Sequence, residues 1–443
     1  MNRSIKRTAL ITLVIGVLTL SACQELFGTP VPIITPKATN NNPTRTLAAK
    51  QTEIPSATPT VKPSVMPTNT IVPSGPATCE VAPVLPVIDE KMDELIPDQT
   101  DYDWSLGPDN ARITIIEYSD FQCVICANLA LNLHQLQGRY PEDVRIIFRH
   151  LPLTEENDKA ALAAQAAEAA GLQDQYWQMH DLLFTKQNEW NDLSVKEFST
   201  WLLSEAAKLN LDVNQFEEDL SSDQVVTRVF EADALNADTG LTSPPAVFYN
   251  KNLYQGWVDL ESLASMVEYY KMADTAFDNC PETVIDTSKQ YTATFTTERG
   301  EFVVELYDDQ APMAVNNFVF LVRQNWYANS TFFRVIPGFV AQAGDPSNSG
   351  NGRPGYLFSN EVTPELRFNE PGMLAMTNYG EGTNGSQFFF TYAAIPEFDG
   401  LYTIFGKVIE GMDVVRSLRP RNPDQDNVLL SADSILSIII EEK

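Results

Sequence analysis

Cys123 and Cys126 are separated by only Val124 and Ile125. Two thiols at this spacing can close on each other. One sulfur can therefore form a mixed disulfide with a substrate and the other can resolve it. The same spacing could supply half of a tetrahedral zinc site, or an inert structural disulfide. A zinc site needs two further ligands, yet Cys23, Cys79 and Cys280 stand singly and the histidines are limited to His134, His150 and His180. A multi-zinc protein is excluded and no metal is expected. Residues 350–355 and 380–385 both carry Gly-x-Gly-x-x-Gly spacing, which can cradle phosphates. Neither joins a strand to a helix inside a βαβ unit, so both are read as loops.

The elements that must position the thiols are legible around them. Residues 111–118 form an Ile-rich run expected to be a buried strand and the start of ordered structure, and residues 127–136 have the texture of a helix. A strand that delivers Cys-x-x-Cys to the start of a helix is the thioredoxin arrangement. At that position Cys123 faces unpaired backbone N–H groups and the positive end of the helix dipole, both of which favour the thiolate. Cys123 is thereby the nucleophile and Cys126 the less exposed resolving thiol. Past Cys280 and Pro281 the texture turns to β. Residues 291–297, a turn at 298–300 and residues 301–307 read as a hairpin, and further short strands between Gly-rich loops suggest a closed barrel. Residues 311–323 have helical periodicity, with Val315, Phe318, Val319 and Val322 on one face.

The chain has 443 residues, which at roughly 100 to 200 per domain predicts two or three domains. Hydrophobic residues make up 44% and charged residues 20%, enough to bury cores over most of the length. Asp and Glu outnumber Lys and Arg by 59 to 30, a formal charge of -29 that repels phosphate backbones and argues against nucleic-acid partners. Arg3, Lys6 and Arg7 precede a short apolar run over residues 9–20, ending in Leu20-Ser21-Ala22-Cys23. This resembles a bacterial lipoprotein signal, with an uncleaved anchor helix as the other reading. The resemblance implies removal of residues 1–22, lipidation of Cys23, and a body held outside the cytoplasmic membrane, on the outer face or periplasmic side. From 23 to 86 the lipidated cysteine leads a stretch rich in Pro and Thr, expected to be a disordered, extended tether.

Residues 87–280 resemble the DsbA-like thiol-disulfide oxidoreductases. The matching text includes Leu106-Gly-Pro108, residues 115–123, 145–153 and 176–184, the Ala-rich segment 160–171, and Gly240-Leu-Thr-Ser-Pro-Pro-Ala-Val-Phe-Tyr-Asn250. The resemblance implies an α/β thioredoxin fold with a helical insertion reaching about Leu235. It places Pro245 as a cis-proline facing the cysteines, and Glu117 as a buried carboxylate that accepts the proton of Cys126. The apolar Val124 and Ile125 replace a histidine found in the most oxidising members, so a less oxidising couple is expected. His150 and His180 lie in apolar segments and are read as packing residues. Cys79 and Cys280 bracket this unit, and outside the cytoplasm such thiols seldom stay free, so a structural disulfide between them is expected.

Residues 281–443 resemble the cyclophilin-type peptidyl-prolyl isomerases. Phe332-Phe-Arg-Val-Ile-Pro-Gly-Phe-Val-Ala-Gln-Ala-Gly-Asp345, residues 372–378 and 383–389, Phe398-Asp-Gly400 and residues 405–408 carry the match. It implies an all-β barrel with flanking helices. Arg334 falls on the catalytic arginine; Phe339, Val340 and Phe389 on the proline pocket, Phe398 on its apolar rim and Tyr402 on its wall; and Gln342, Thr377, Asn378 and Gln387 on the groove that hydrogen-bonds the peptide. Isomerisation rotates a C–N bond against a barrier of roughly 18 to 20 kcal/mol. A guanidinium donating to the prolyl nitrogen favours its de-conjugated state and lowers that barrier without a nucleophile. Glu397 stands where many members have a tryptophan that binds cyclosporin, so weak inhibition by that drug is expected.

The sequence thus describes a multidomain, membrane-tethered folding catalyst without cofactors. Its partners would be unfolded or partly folded exported polypeptides, together with a redox partner in the membrane. Two rivals stay open: a peptide-binding holdase or scaffold with little turnover, and a disulfide reductase in place of an oxidase.

Overall fold

A computed structural model describes residues 75–86, 90–97, 99–100, 103–237, 239–328, 330–426 and 430–443. Cys23, residues 1–22 and most of the proposed tether lie outside this set. Order does not begin at 111, however. β1 (Cys79–Val81) and α1 (Glu90–Leu95) precede it. The cause is tertiary: Cys79 is disulfide-bonded to Cys280, with Cα atoms 6.1 Å apart, and β1 pairs with a strand of the second unit. Proline-rich composition does not prevent pairing where a covalent link holds the chain against a free edge.

In the first unit β2 (Trp104–Leu106), β3 (Ile113–Ser119), β4 (Val144–His150), β5 (Ala246–Tyr249) and β6 (Asn252–Tyr254) form one sheet in the order β2-β4-β3-β5-β6. β3 is central, parallel to β4 and antiparallel to β5. Nearly all its residues are buried, which is why its sequence runs apolar instead of alternating. α2 (Val124–Arg139) follows β3 directly. The helical insertion comprises α3 (Ala160–Gly171), α4 (Tyr176–Thr185), α5 (Gln187–Trp190), α6 (Val195–Lys208), α7 (Val213–Leu220) and α8 (Asp223–Ala237). Alanines 163, 166, 167 and 170 are fully buried, and their small side chains let α4, α7 and α8 pack against α3. α9 (Leu260–Met272), capped by Asp259, closes the unit.

In the second unit β7 (Tyr291–Thr297) and β8 (Gly300–Leu306) form the expected hairpin. α10 (Pro312–Arg323) follows, then β9 (Arg334–Ile336), β10 (Val340–Ala343), β11 (Tyr356–Phe358), β12 (Met373–Met376), β13 (Phe388–Thr391), β14 (Ile404–Glu410), α11 (Met412–Arg416) and β15 (Ile435–Glu442). The main sheet is antiparallel and curled, in the order β15-β7-β8-β14-β12-β13-β10-β9. Its two edges meet through a bridge between Thr331 and Ser434, so the barrel is closed by a few bonds and not by a full ladder. α10 plugs the interior, burying Asn316 and Asn317 as well as its apolar face.

The two units share a packed boundary. β1 runs antiparallel to β11, Phe277 meets Phe320 edge-on and Trp326 at a tilt with centroids 5.1 and 5.7 Å away, and the Phe277 N–H donates to the Pro354 carbonyl at 2.8 Å. The Cys79–Cys280 link closes a loop of 201 residues. On the loop-entropy account this contributes about 5 kcal/mol. Replacing both cysteines by serine is expected to lower the denaturant midpoint markedly, and reductant should then have no further effect on this boundary.

Candidate functional site

The thiol site is built at the junction of β3 and α2. Cys123 is the N-cap of α2, and its Sγ accepts from the Cys126 N–H at 3.1 Å. Cys123 and Cys126 are disulfide-bonded, with Cα atoms 5.2 Å apart; Cys126 is buried and Cys123 half-buried. The approach loop is pinned: Asp120 accepts from the backbone N–H groups of Gln122 and Leu153, and the Gln187 amide donates to the carbonyls of Phe121 and Cys123. The peptide bond between Pro244 and Pro245 is cis, and the Pro244 carbonyl oxygen lies 3.9 Å from Cys123 Sγ. Val124 and Ile125 are exposed.

On β3, six residues before Cys123, Glu117 is buried and its Oε1 has no hydrogen-bond partner among the described residues. Loss of solvation pushes its carboxyl up to about 8. A carboxyl held protonated at pH 7 can give its proton, and the carboxylate so formed can take one back. His150 and His180 are buried packing residues: His150 Nε2 sits 3.0 Å from Glu168, and His180 lies edge-on to Phe148 with its Nδ1 2.9 Å from Asp181.

The second site lies on the sheet of the second unit. Arg334, Gln342 and Phe389 are directly opposed on β9, β10 and β13, and the row continues through Ala375 on β12 and Ile404 on β14. Because side chains alternate, this row faces one way while Val335, Ala341, Leu374, Phe388 and Phe390 face the barrel core. Val340, Phe368, Met373, Phe389 and Phe398 form a separate apolar cluster, flanked by Phe339 and Tyr402. Phe398 lies 4.8 Å from Tyr402 and 5.9 Å from Phe389, the latter pair edge-on at 82°. The result is a cluster of aromatic rings with Tyr402 close enough to Arg334 to feel its charge.

Arg334 is only 4% exposed, and its Nε and Nη2 both donate to Asp424 Oδ2, at 3.2 and 3.1 Å. Burial raises the Tyr402 hydroxyl above its usual pKa, and the charge of Arg334 opposes that shift. The groove amides are less uniform than the sequence suggests. Gln342 donates to Gln387 at 3.0 Å, and Gln387 donates to the carbonyls of Gly350 and Gly352. Asn378 donates inward to Asn360 and to the Leu401 carbonyl. The Asn378 amide therefore ties loops together, and Thr377 is buried. Sequence reasoning missed Asp424. It sits 90 residues after Arg334, in a loop with no motif of its own.

The profile of the cyclophilin type peptidyl-prolyl cis-trans isomerase/CLD family matches residues 292–440, and a thioredoxin profile matches residues 99–269. Over 127 residues the chain is 44% identical to peptidyl-prolyl cis-trans isomerase-like 1 of Aspergillus fumigatus, covering 28% of this chain and 79% of that protein. Over 134 residues it is 45% identical to peptidyl-prolyl cis-trans isomerase A of Mycobacterium tuberculosis, covering 27% of this chain and 74% of that protein. A solved cyclophilin type peptidyl-prolyl cis-trans isomerase of Cryptosporidium parvum aligns at 33% identity over 34% of this chain and 98% of its own, with a TM-score of 0.32. The chain belongs to the cyclophilin-type peptidyl-prolyl cis-trans isomerase family. Its isomerase-type domain is preceded by a thioredoxin-like domain.

The raised Glu117 pKa has a defined sign. Protonation favours the folded state, so the stability it contributes is full below about pH 4.5 and is lost as the pH rises toward 8. Glu117→Gln should therefore gain stability relative to the wild type between pH 5 and about 8, read as a growing difference in Tm.

Proposed function

We propose that this protein is a membrane-tethered, extracytoplasmic protein-folding catalyst with two active sites. One isomerises X-Pro bonds and the other exchanges disulfides in exported polypeptides. The observation that carries the reading is the placement of a buried guanidinium, Arg334, in one cross-strand row with Gln342 and Phe389, beside the aromatic cluster that contains Phe389, Phe398 and Tyr402.

In the isomerase step the prolyl ring enters the slot formed by Phe339, Val340, Phe389, Phe398 and Tyr402. Gln342 steadies the peptide, and an Arg334 N–H donates to the prolyl nitrogen as the amide twists. That donation is stronger in the twisted state than in either planar isomer, which is what acceleration requires. No bond to the enzyme forms.

In the exchange step a substrate thiolate attacks Cys123 Sγ. The Cys123–Cys126 bond breaks, and Cys126 leaves as a thiolate that takes the Glu117 proton. A second substrate thiolate then attacks the mixed disulfide and releases Cys123, so two substrate thiols are oxidised and the protein pair is reduced. A membrane redox partner would reoxidise it. The exposed apolar residues Val124 and Ile125 bring no positive charge to the thiolate, which favours a less oxidising couple and makes a reductase the second reading. The tether and lipid at Cys23 rest on the N-terminal sequence alone, and no helix among the described residues is long and apolar enough to cross a membrane.

Two variants test the pair of sites in the intact chain. Arg334→Ala should lower kcat/KM for a prolyl peptide by about 100-fold while leaving insulin reduction unchanged. Cys123→Ser should do the reverse. A wild type no faster than either variant would leave only a peptide-binding holdase. Cyclosporin should inhibit weakly, since the exposed Glu397 offers no indole, and nanomolar inhibition would contradict this.

A further inference from the structure

We propose that Trp257, in the thioredoxin-like domain, is a positioning residue for Arg334 in the isomerase-type domain, acting through the loop that carries Asp424. This rests on the reading of Arg334 as the isomerase arginine. Two of the three guanidinium nitrogens, Nε and Nη2, donate to Asp424, so the carboxylate sets the plane of the group. Asp424 itself lies in a short surface turn. On one side that turn is anchored to the barrel, where Arg421 and Val335 exchange backbone hydrogen bonds at 2.9 and 2.7 Å and Arg421 Nη1 donates to the Phe333 carbonyl. Within it Asp424 N–H donates to Asn422 Oδ1, and Asn422 N–H to Asp426 Oδ2.

The other anchor comes from the neighbouring domain. The Trp257 indole N–H donates to the carbonyl of Pro423, the residue before Asp424. Trp257 is itself held from behind. Its carbonyl accepts from the Tyr254 hydroxyl at 2.7 Å, and the next carbonyl, of Val258, accepts from the Asn132 amide on α2 at 2.8 Å. Asp259 and Glu261, at the start of α9, also attract the guanidinium of Arg421 across the boundary. A second bridge supports the same groove. The carbonyls of Gly350 and Gly352 fix the Gln387 amide that holds Gln342, and this loop rests on α9, with the Asn351 amide 4.0 Å from Met266 Sδ. Gly352 is tight chiefly against Asp345 of its own domain, where a Cβ would clash with Oδ1, and Met272 Cε on α9 would be the next side chain met, at 2.8 Å. Both polar groups flanking the prolyl slot are thus steadied by one helix and one loop of the thioredoxin-like domain.

The test uses the full chain with Trp257→Phe, which keeps the ring and removes the donor, Asp424→Asn, and the double variant. Small displacements of a positioned catalytic group cost rate more than binding. Trp257→Phe should therefore lower kcat for a prolyl peptide by about 5-fold with KM within about 2-fold. Because Trp257 acts through Asp424, the double variant should be no slower than Asp424→Asn alone. An independent readout is the Arg334 Nε–H resonance, which should lose intensity through faster exchange in Trp257→Phe at an unchanged Tm. Full kcat in Trp257→Phe, or losses that multiply in the double variant, would overturn the inference while leaving the isomerase reading intact. An inert wild type, or an Arg334→Ala variant as fast as wild type, would instead strike the isomerase reading and the inference with it.

Discussion

A guanidinium taken out of water must be met by an anion, and the position of Arg334 depends on that constraint. Left unpaired, a buried charge costs several kcal/mol, so Asp424 is a condition for Arg334 to sit where it does. The pairing has a geometric consequence. Nε and Nη2 together define one edge of a planar group, so fixing that edge orients the whole guanidinium over the slot. Asp424 is drawn into the barrel's business from a turn that the neighbouring domain touches through Trp257.

The slot itself is a product of strand periodicity. Along β10 and β13, Ala341, Ala343, Phe388 and Phe390 fill the barrel, while Val340, Gln342 and Phe389 are turned to the opposite face. One residue of register slip would exchange the two sets, so the core that stabilises the barrel also enforces the composition of the groove. The thiol site follows a comparable logic. The largely buried β3 gives way to α2 at Cys123, and a pinned approach loop leaves Cys123 half-exposed while Cys126 enters the core.

Much of this was legible in the sequence because the informative residues are close together. Cys-x-x-Cys before an Ala- and Leu-rich run identifies its own strand and helix, and Arg334 to Gln342 lies within one hairpin. What was illegible depends on contacts between distant segments. Cys79 and Cys280 invite a disulfide, yet nothing in residues 79–81 announces a strand; that strand exists because β11 offers an edge. Asn378 falls in a groove motif, but only the fold shows that its amide points to Asn360 and Leu401. Asp424 and Trp257 have no local signal at all, since their meaning lies in an ion pair and a hydrogen bond between separate parts of the chain.

The central claim is turnover at Arg334 and not mere capture of proline-containing peptides. Exchange NMR on an Ala-Pro peptide with substoichiometric intact protein tests it directly, since uncatalysed interconversion takes tens to hundreds of seconds. The account predicts cross-peaks between the cis and trans resonances on a sub-second timescale. Peptide shifts that report binding, with no exchange between the isomers, would contradict it.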